Sequence, residues 1–199
     1  MTIDADGMLR DPRVTASRSL TIEHGTMAAV LGIIVHQTNS STAVSTLNSY
    51  KNAGANGAHF LIDKDGTIYQ TASVYMRTYH VGKLRARCLV ELTCTAAEIT
   101  AYKQWDPSGM HKREMLKSVP DRYPGNGESV GIELVGRALP DARNKDVLDY
   151  ESVTAEQNAS LKWLVAEISR LLAVPMTEVF RHPVVSFKTD SEAQSAVWK

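Results

Sequence analysis

The 199-residue sequence predicts a single α/β domain with a central mixed β-sheet flanked by helices. Three observations carry that prediction. Two short β-branched runs bounded by glycines, "LGIIVHQT" (31–38) and "SVGIELVG" (129–136), have the length and composition of buried strands. "AHFLIDKDGTIYQTA" (58–72) alternates on both sides of Asp65-Gly66, the pattern of a hairpin. "TAEQNASLKWLVAEISRLL" (154–172) places Leu161, Leu164, Val165, Ile168, Leu171 and Leu172 on one helical stripe, opened by a capping box of Thr154 and Gln157.

The remaining elements follow in order. His36 stands at the end of the first strand. The Ser/Asn-rich stretch after it leads into a short helix over 42–53, with Val44, Leu47 and Tyr50 near helical spacing, and "AGANG" stops it. His59 opens the hairpin. Residues 83–128 read as an insertion, with a second capping box at Thr95 and Glu98, a basic "HKREMLK" cluster and the turns "DPSG" and "YPGNG". A surface excursion packed by Ile99, Tyr102 and Trp105 is the simpler reading of it, and a lid or partner-docking role the other. Cys88 and Cys94 lie there with five residues between them, a separation open to a disulfide or to two free thiols.

Composition removes several function classes. Lys plus Arg and Asp plus Glu number 22 each, so the whole chain carries no electrostatic footprint for nucleic acid. No apolar run approaches the roughly 18 residues of a membrane span, and the acidic opening "MTIDADGMLRDPRV" lacks the apolar centre of a secretory leader. The expectation is a chain made without a recognisable signal peptide.

Chemistry-bearing residues gather at strand ends and in the closing stretch "RHPVVSFKTD" (181–190). A zinc hydrolase needs three protein ligands and one open position, and His36, His182 and Asp190 supply such a set. It also needs a proton carrier outside the ligand set and a cation or donor for the oxyanion. Glu133 and Lys188 fit those two tasks. The plainer alternatives are a buried, hydrogen-bonded polar set for the first three and solvated charges for the last two.

The segments "GIIVHQT", "GAHFLIDKDGTIYQ", "YHVG", "SVGIELVG" and "RHPVVSFKTD", in that order, resemble the zinc-dependent N-acetylmuramoyl-L-alanine amidases of the phage-lysozyme and peptidoglycan-recognition type. The resemblance covers about residues 30–82 and 126–198. It implies an open groove holding one Zn²⁺ on His36, His182 and Asp190, with Glu133 and Lys188 catalytic and His80 near the substrate. His59 more simply packs or orients the neighbouring strand. Three departures stand out. Ala58 precedes His59 where many members carry a tyrosine, no Pro-Gly pair follows Asp190, and the 83–128 insertion is longer than the family's usual link.

By this resemblance the substrate is peptidoglycan or a muropeptide, cut at the amide between the lactyl group of N-acetylmuramic acid and L-alanine. Glu133 would take the proton of the attacking water and pass it to the departing amine, while Lys188 holds the oxyanion. A non-catalytic peptidoglycan-binding module of the same fold, a zinc hydrolase for a different amide and a purely structural protein are the alternatives. Three settings suit such an enzyme: cytoplasmic recycling of wall fragments, release as an endolysin, or delivery as a toxin into the periplasm of a target cell. The last would bring an inhibitor or immunity protein as partner.

Overall fold

The structure is a computed structural model that describes residues 1–140 and 148–199. In chain order the strands are β1 (Thr2–Ile3), β2 (Leu9–Arg10), β3 (Val14–Ala16), β4 (Gly32–Gln37), β5 (Phe60–Ile62), β6 (Ile68–Gln70), β7 (Ser129–Leu134), β8 (Ala138–Pro140), β9 (Leu148–Tyr150) and β10 (Val179–Arg181). The helices are α1 (Ala43–Ser49), α2 (Arg87–Glu91), α3 (Ala96–Tyr102), α4 (Pro107–Glu114), α5 (Ala155–Leu172) and α6 (His182–Val185). Six strands form one mixed sheet in the order β10-β4-β7-β5-β6-β3, and β1–β2 and β8–β9 are separate pairs. The expected architecture is present. The helix expected over 42–53 ends sooner, with Tyr50 as its C-cap.

Strand period places the site. Along β4 and β7 the side chains alternate between faces, and Ile33, Val35, Val130, Ile132 and Leu134 join Leu161, Leu164, Val165 and Ile168 of α5 in the main core. Their neighbours Ile34, His36, Gly131 and Glu133 take the opposite face. Because β4, β7 and β5 run parallel in register, His36 pairs with Glu133 and Glu133 with Leu61. Two groups of opposite chemistry, a base and an acid, therefore stand side by side on one row of the sheet.

The 18-residue helix α5 begins at the expected capping box, with Thr154 Oγ1 accepting from Gln157 N at 3.1 Å. The Asp65-Gly66 turn joins β5 and β6 as an antiparallel hairpin. Residues 87–114 form α2, α3 and α4 around a small apolar cluster of Ala86, Cys88, Tyr102 and Met110, against which Phe187 packs. Cys88 and Cys94 are joined by a disulfide. Among the described residues no helix is long and apolar enough to cross a membrane.

Candidate active site

A groove of about 660 Å³ opens over the polar face of the sheet, and His36, His80, Glu133, His182, Lys188, Glu192 and Tyr50 all line it. Each arrives from a different constraint. His36 and Glu133 are fixed by strand register, and His182 by the start of α6 behind β10. Glu192 follows from the closing segment, where Ala193 is buried in the main core and its N–H donates to Gln37 Oε1 at 3.2 Å.

His36, His182 and Glu192 each offer one ligand atom, and these atoms lie within 4.8 Å of one another. Glu192 Oε1 is 2.9 Å from His182 Nδ1 and 3.6 Å from His36 Nδ1. The far nitrogens fix which ends of the rings face inward. His182 Nε2 lies 2.8 Å from the Val81 carbonyl, which can only accept, so the proton sits on Nε2 and a neutral ring turns a lone pair toward Glu192. His80 Nε2 lies 3.3 Å from the Ser129 carbonyl and therefore donates. Neutral His80 then accepts at Nδ1 from His36 Nε2, 2.9 Å away, and leaves His36 Nδ1 as a second lone pair. Two lone pairs and a carboxylate converge on one point. Such a donor set fits a divalent cation of the zinc type, with the outer hydrogen bonds orienting the ligand rings.

Electrostatics agree with neutral rings at His36 and His80. Burial, reinforced by His182, pushes His36 down to about 4. Burial also takes His80 well below the usual histidine range, and the neighbouring imidazoles add to it. For Glu192 burial works toward the acid form, but the His182 and His36 rings beside it outweigh burial and hold the carboxyl at about 2. Glu133 behaves in the opposite way. Burial raises it to about 8, the charge of Glu192 adds to the rise, and Lys188 opposes it. Its Oε2 is buried and has no partner among the described residues.

The structure brings together five of the six residues singled out in the sequence and separates the sixth. His36, His182, Glu133, Lys188 and His80 share the groove, whereas Asp190 is exposed and faces a shallow depression with Leu148 and Asp149. Buried Ala193 anchors the chain just beyond the turn, so its neighbour Glu192 points inward while Asp190 stays on the outer side. The sequence contained a hint of this, since two carboxylates lie in "KTDSEAQ" and the Lys-Thr-Asp pattern favoured the nearer one. His80 reaches the groove but stands behind His36. Close approach there depends on Gly131, where a Cβ would fall 2.8 Å from His80 Nδ1. His59, fully buried, accepts from Gly131 N–H (3.0 Å) and donates to the Met76 carbonyl (2.8 Å), a strand-orienting role.

A family model described as N-acetylmuramoyl-L-alanine amidase matches residues 26–193. No curated protein matches the chain closely enough to be counted. Among solved structures, a selenomethionine derivative of AmpD aligns with a TM-score of 0.58 at 18% identity, covering 100% of this chain and 96% of that one. The endolysin amidase LysCS from Clostridium intestinale URNW aligns at 0.51 and 17% identity, covering 90% and 86%. The catalytic domain of XlyA aligns at 0.51 and 18%, covering 88% and 87%. At these identities the likeness speaks for the fold.

Proposed function

The chain belongs to the N-acetylmuramoyl-L-alanine amidase family, and from that premise we propose that it is a zinc-dependent hydrolase of the amide between the lactyl group of N-acetylmuramic acid and the L-alanine of the stem peptide. The observation that supports this reading best is the convergence of His36, His182 and Glu192 beside Glu133 in one open groove. In this reading Glu192 takes the ligand position that the sequence motif assigned to Asp190. These three residues would hold a zinc ion, which would supply Lewis acidity to the site.

The chain's own groups manage the rest. Glu133, next to His36 in register, accepts the proton of the attacking water and returns it to the nitrogen of the departing L-alanine. A carboxyl with a pKa near 8 suits both halves of that transfer, because it is neither a spent base nor a spent acid at neutral pH. Lys188 lines the same groove and stabilises the oxyanion of the tetrahedral intermediate. His80 keeps the His36 ring in the tautomer whose lone pair faces inward. Val81 does the same for His182.

Mass spectrometry of digests tests the reading. Intact sacculi and soluble anhydro-muropeptides are each incubated with the zinc-loaded protein, and peptides with new L-alanine amino termini are expected from at least one of them. New reducing sugar ends, or peptide bonds cut with the lactyl amide intact, would overturn the bond assignment. Binding to sacculi with no product from either substrate would make the chain a binding module instead.

A further inference from the structure

Tyr50 has no part in the chemistry above, yet it stands in the groove with Glu133. Its backbone is held from a separate segment, because its carbonyl accepts from the hydroxyls of Ser19, at 2.8 Å, and of Thr21. The ring is 5% exposed and packs with Ile22 and Ala72. It also lies against Gly57, where a Cβ would come within 3.0 Å of ring carbon Cε1, so glycine leaves the ring its place. The side chain is therefore set in one orientation before any substrate arrives.

The hydrogen-bonding state of the hydroxyl is incomplete. It accepts one long bond, from the Ala58 N–H at 3.4 Å, and donates to no acceptor among the described residues. Glu133 is its complement, a carboxyl whose Oε2 is buried without a donor. Buried polar groups are nearly always paired. A donor and an acceptor left free at the same open groove are available to water or to a bound molecule, and a substrate that presents a polar amide would engage them. Burial, and secondarily the charge on Glu133, holds the phenol well above its usual pKa, so the proton stays on oxygen and is available as a hydrogen-bond donor.

We propose that Tyr50 is a catalytic residue whose neutral phenol donates a hydrogen bond to the scissile carbonyl oxygen as that oxygen gains negative charge in the tetrahedral intermediate. This rests on amide hydrolysis as the reaction. No proton leaves the phenol. It complements Lys188 with a rigid donor, which is worth more than a mobile one because it needs no reorganisation as charge develops.

Tyr50→Phe keeps the ring and deletes only the hydroxyl. The expected result is a kcat lower by about a hundredfold to a thousandfold, with KM within about threefold of wild type. Zinc content and thermal midpoint should stay close to wild type. A second measurement leaves turnover aside: a phosphinate analogue of the lactyl–alanine amide, which carries a tetrahedral anionic oxygen, should bind Tyr50→Phe more weakly by about the same factor as the loss in kcat/KM. A kcat within threefold of wild type, or unchanged phosphinate affinity, overturns the proposal. So does a kcat loss that comes with lost zinc or a collapsed midpoint, because the hydroxyl would then be structural. Wild-type protein is assayed alongside. If it releases no L-alanine peptides the reaction assignment fails and takes this one with it, whereas an active wild type matched by an active Tyr50→Phe sinks this inference alone.

Discussion

The two faces of the central sheet are made from the same strands and differ in almost every physical respect. On β7, Val130, Ile132 and Leu134 are fully buried against α5, while on the other face Gly131 lies against His80 and Glu133 lines the groove. On β4 the same alternation separates Ile33 and Val35 from His36. One face is stabilised by apolar burial that any well-shaped hydrophobic set could provide. The other holds buried imidazoles, a carboxyl raised to about 8 and another lowered to about 2, side chains whose value depends on position to a fraction of an ångström. Register binds the two together, since a slip of one residue would exchange the faces. The core is therefore what aligns His36 with Glu133.

The largest contrast comes from cutting into each face in turn. His182→Ala removes one of the three proposed ligands together with the hydrogen bond to Val81, and the purified protein should lose zinc and all measurable turnover. Ile132→Ala, on the opposite face of the strand carrying Glu133, should cost about 2–5 kcal/mol in a denaturant titration. Its folded fraction should keep zinc and a near-normal kcat. If Ile132→Ala lost its zinc while still folded, the faces would be less independent than the alternation indicates.

Glu133→Gln sharpens the site side of the comparison, because it preserves shape and removes only the proposed proton carrier. A fall in kcat of about a hundredfold to ten-thousandfold with zinc retained is expected. Turnover close to wild type would exclude the general-base role, and loss of metal would place Glu133 in the ligand set.

How much of this was legible in the sequence differs between the two faces. The apolar face was readable because its signals are local: the alternation around Asp65-Gly66, the β-branched runs, and the Leu/Ile stripe of α5 each span a few residues. On the polar face, His36, His182 and Glu133 were recognisable from their motifs. The inward carboxylate was not, because the choice between Asp190 and Glu192 is made by burial of Ala193 and by Gln37, which lies more than 150 positions away in sequence. Tyr50 was visible as part of a helix, but its role depends on Gly57 and Ser19, contacts between segments that no local pattern encodes. The pairing β10-β4 escaped for the same reason, since a three-residue parallel strand leaves little trace.

A smaller effect separates the faces by pH. His59 is buried with its Nε2 proton donated and its Nδ1 occupied by Gly131 N–H, and burial pushes it down to about 4, partly opposed by the Met76 carbonyl. The unfolded chain protonates this ring near 6.5 and the folded one does not, so its contribution is complete above that pH and is lost as pH falls toward 4. The loss amounts to about 3 kcal/mol at most. His36, also near 4, acts with the same sign. Urea titrations of chelator-treated protein should therefore show stability falling from pH 6.5 to 4. His59→Gln should be less stable at pH 7 but have a visibly shallower acid limb. An unchanged slope would mean that His59 is already charged in the fold.

The smallest expected effect is the one that decides between two neighbouring carboxylates. Asp190 is exposed and belongs to neither the histidine cluster nor the groove, so Asp190→Ala should change stability by no more than about 0.5 kcal/mol. Its zinc content and kcat should match wild type. Glu192→Ala is the opposite case, because it deletes the carboxylate that His182 and His36 face at 2.9 and 3.6 Å. Two imidazoles remain, and a site with two ligands should not retain zinc through dialysis. Zinc measured by mass spectrometry on the two proteins separates the alternatives without relying on an activity assay. Zinc lost in Asp190→Ala and kept in Glu192→Ala would mean that the closing segment turns the other way when metal binds, with the Lys-Thr-Asp motif supplying the ligand. Retention in the first and loss in the second would establish that the core, through Ala193, selects the third ligand.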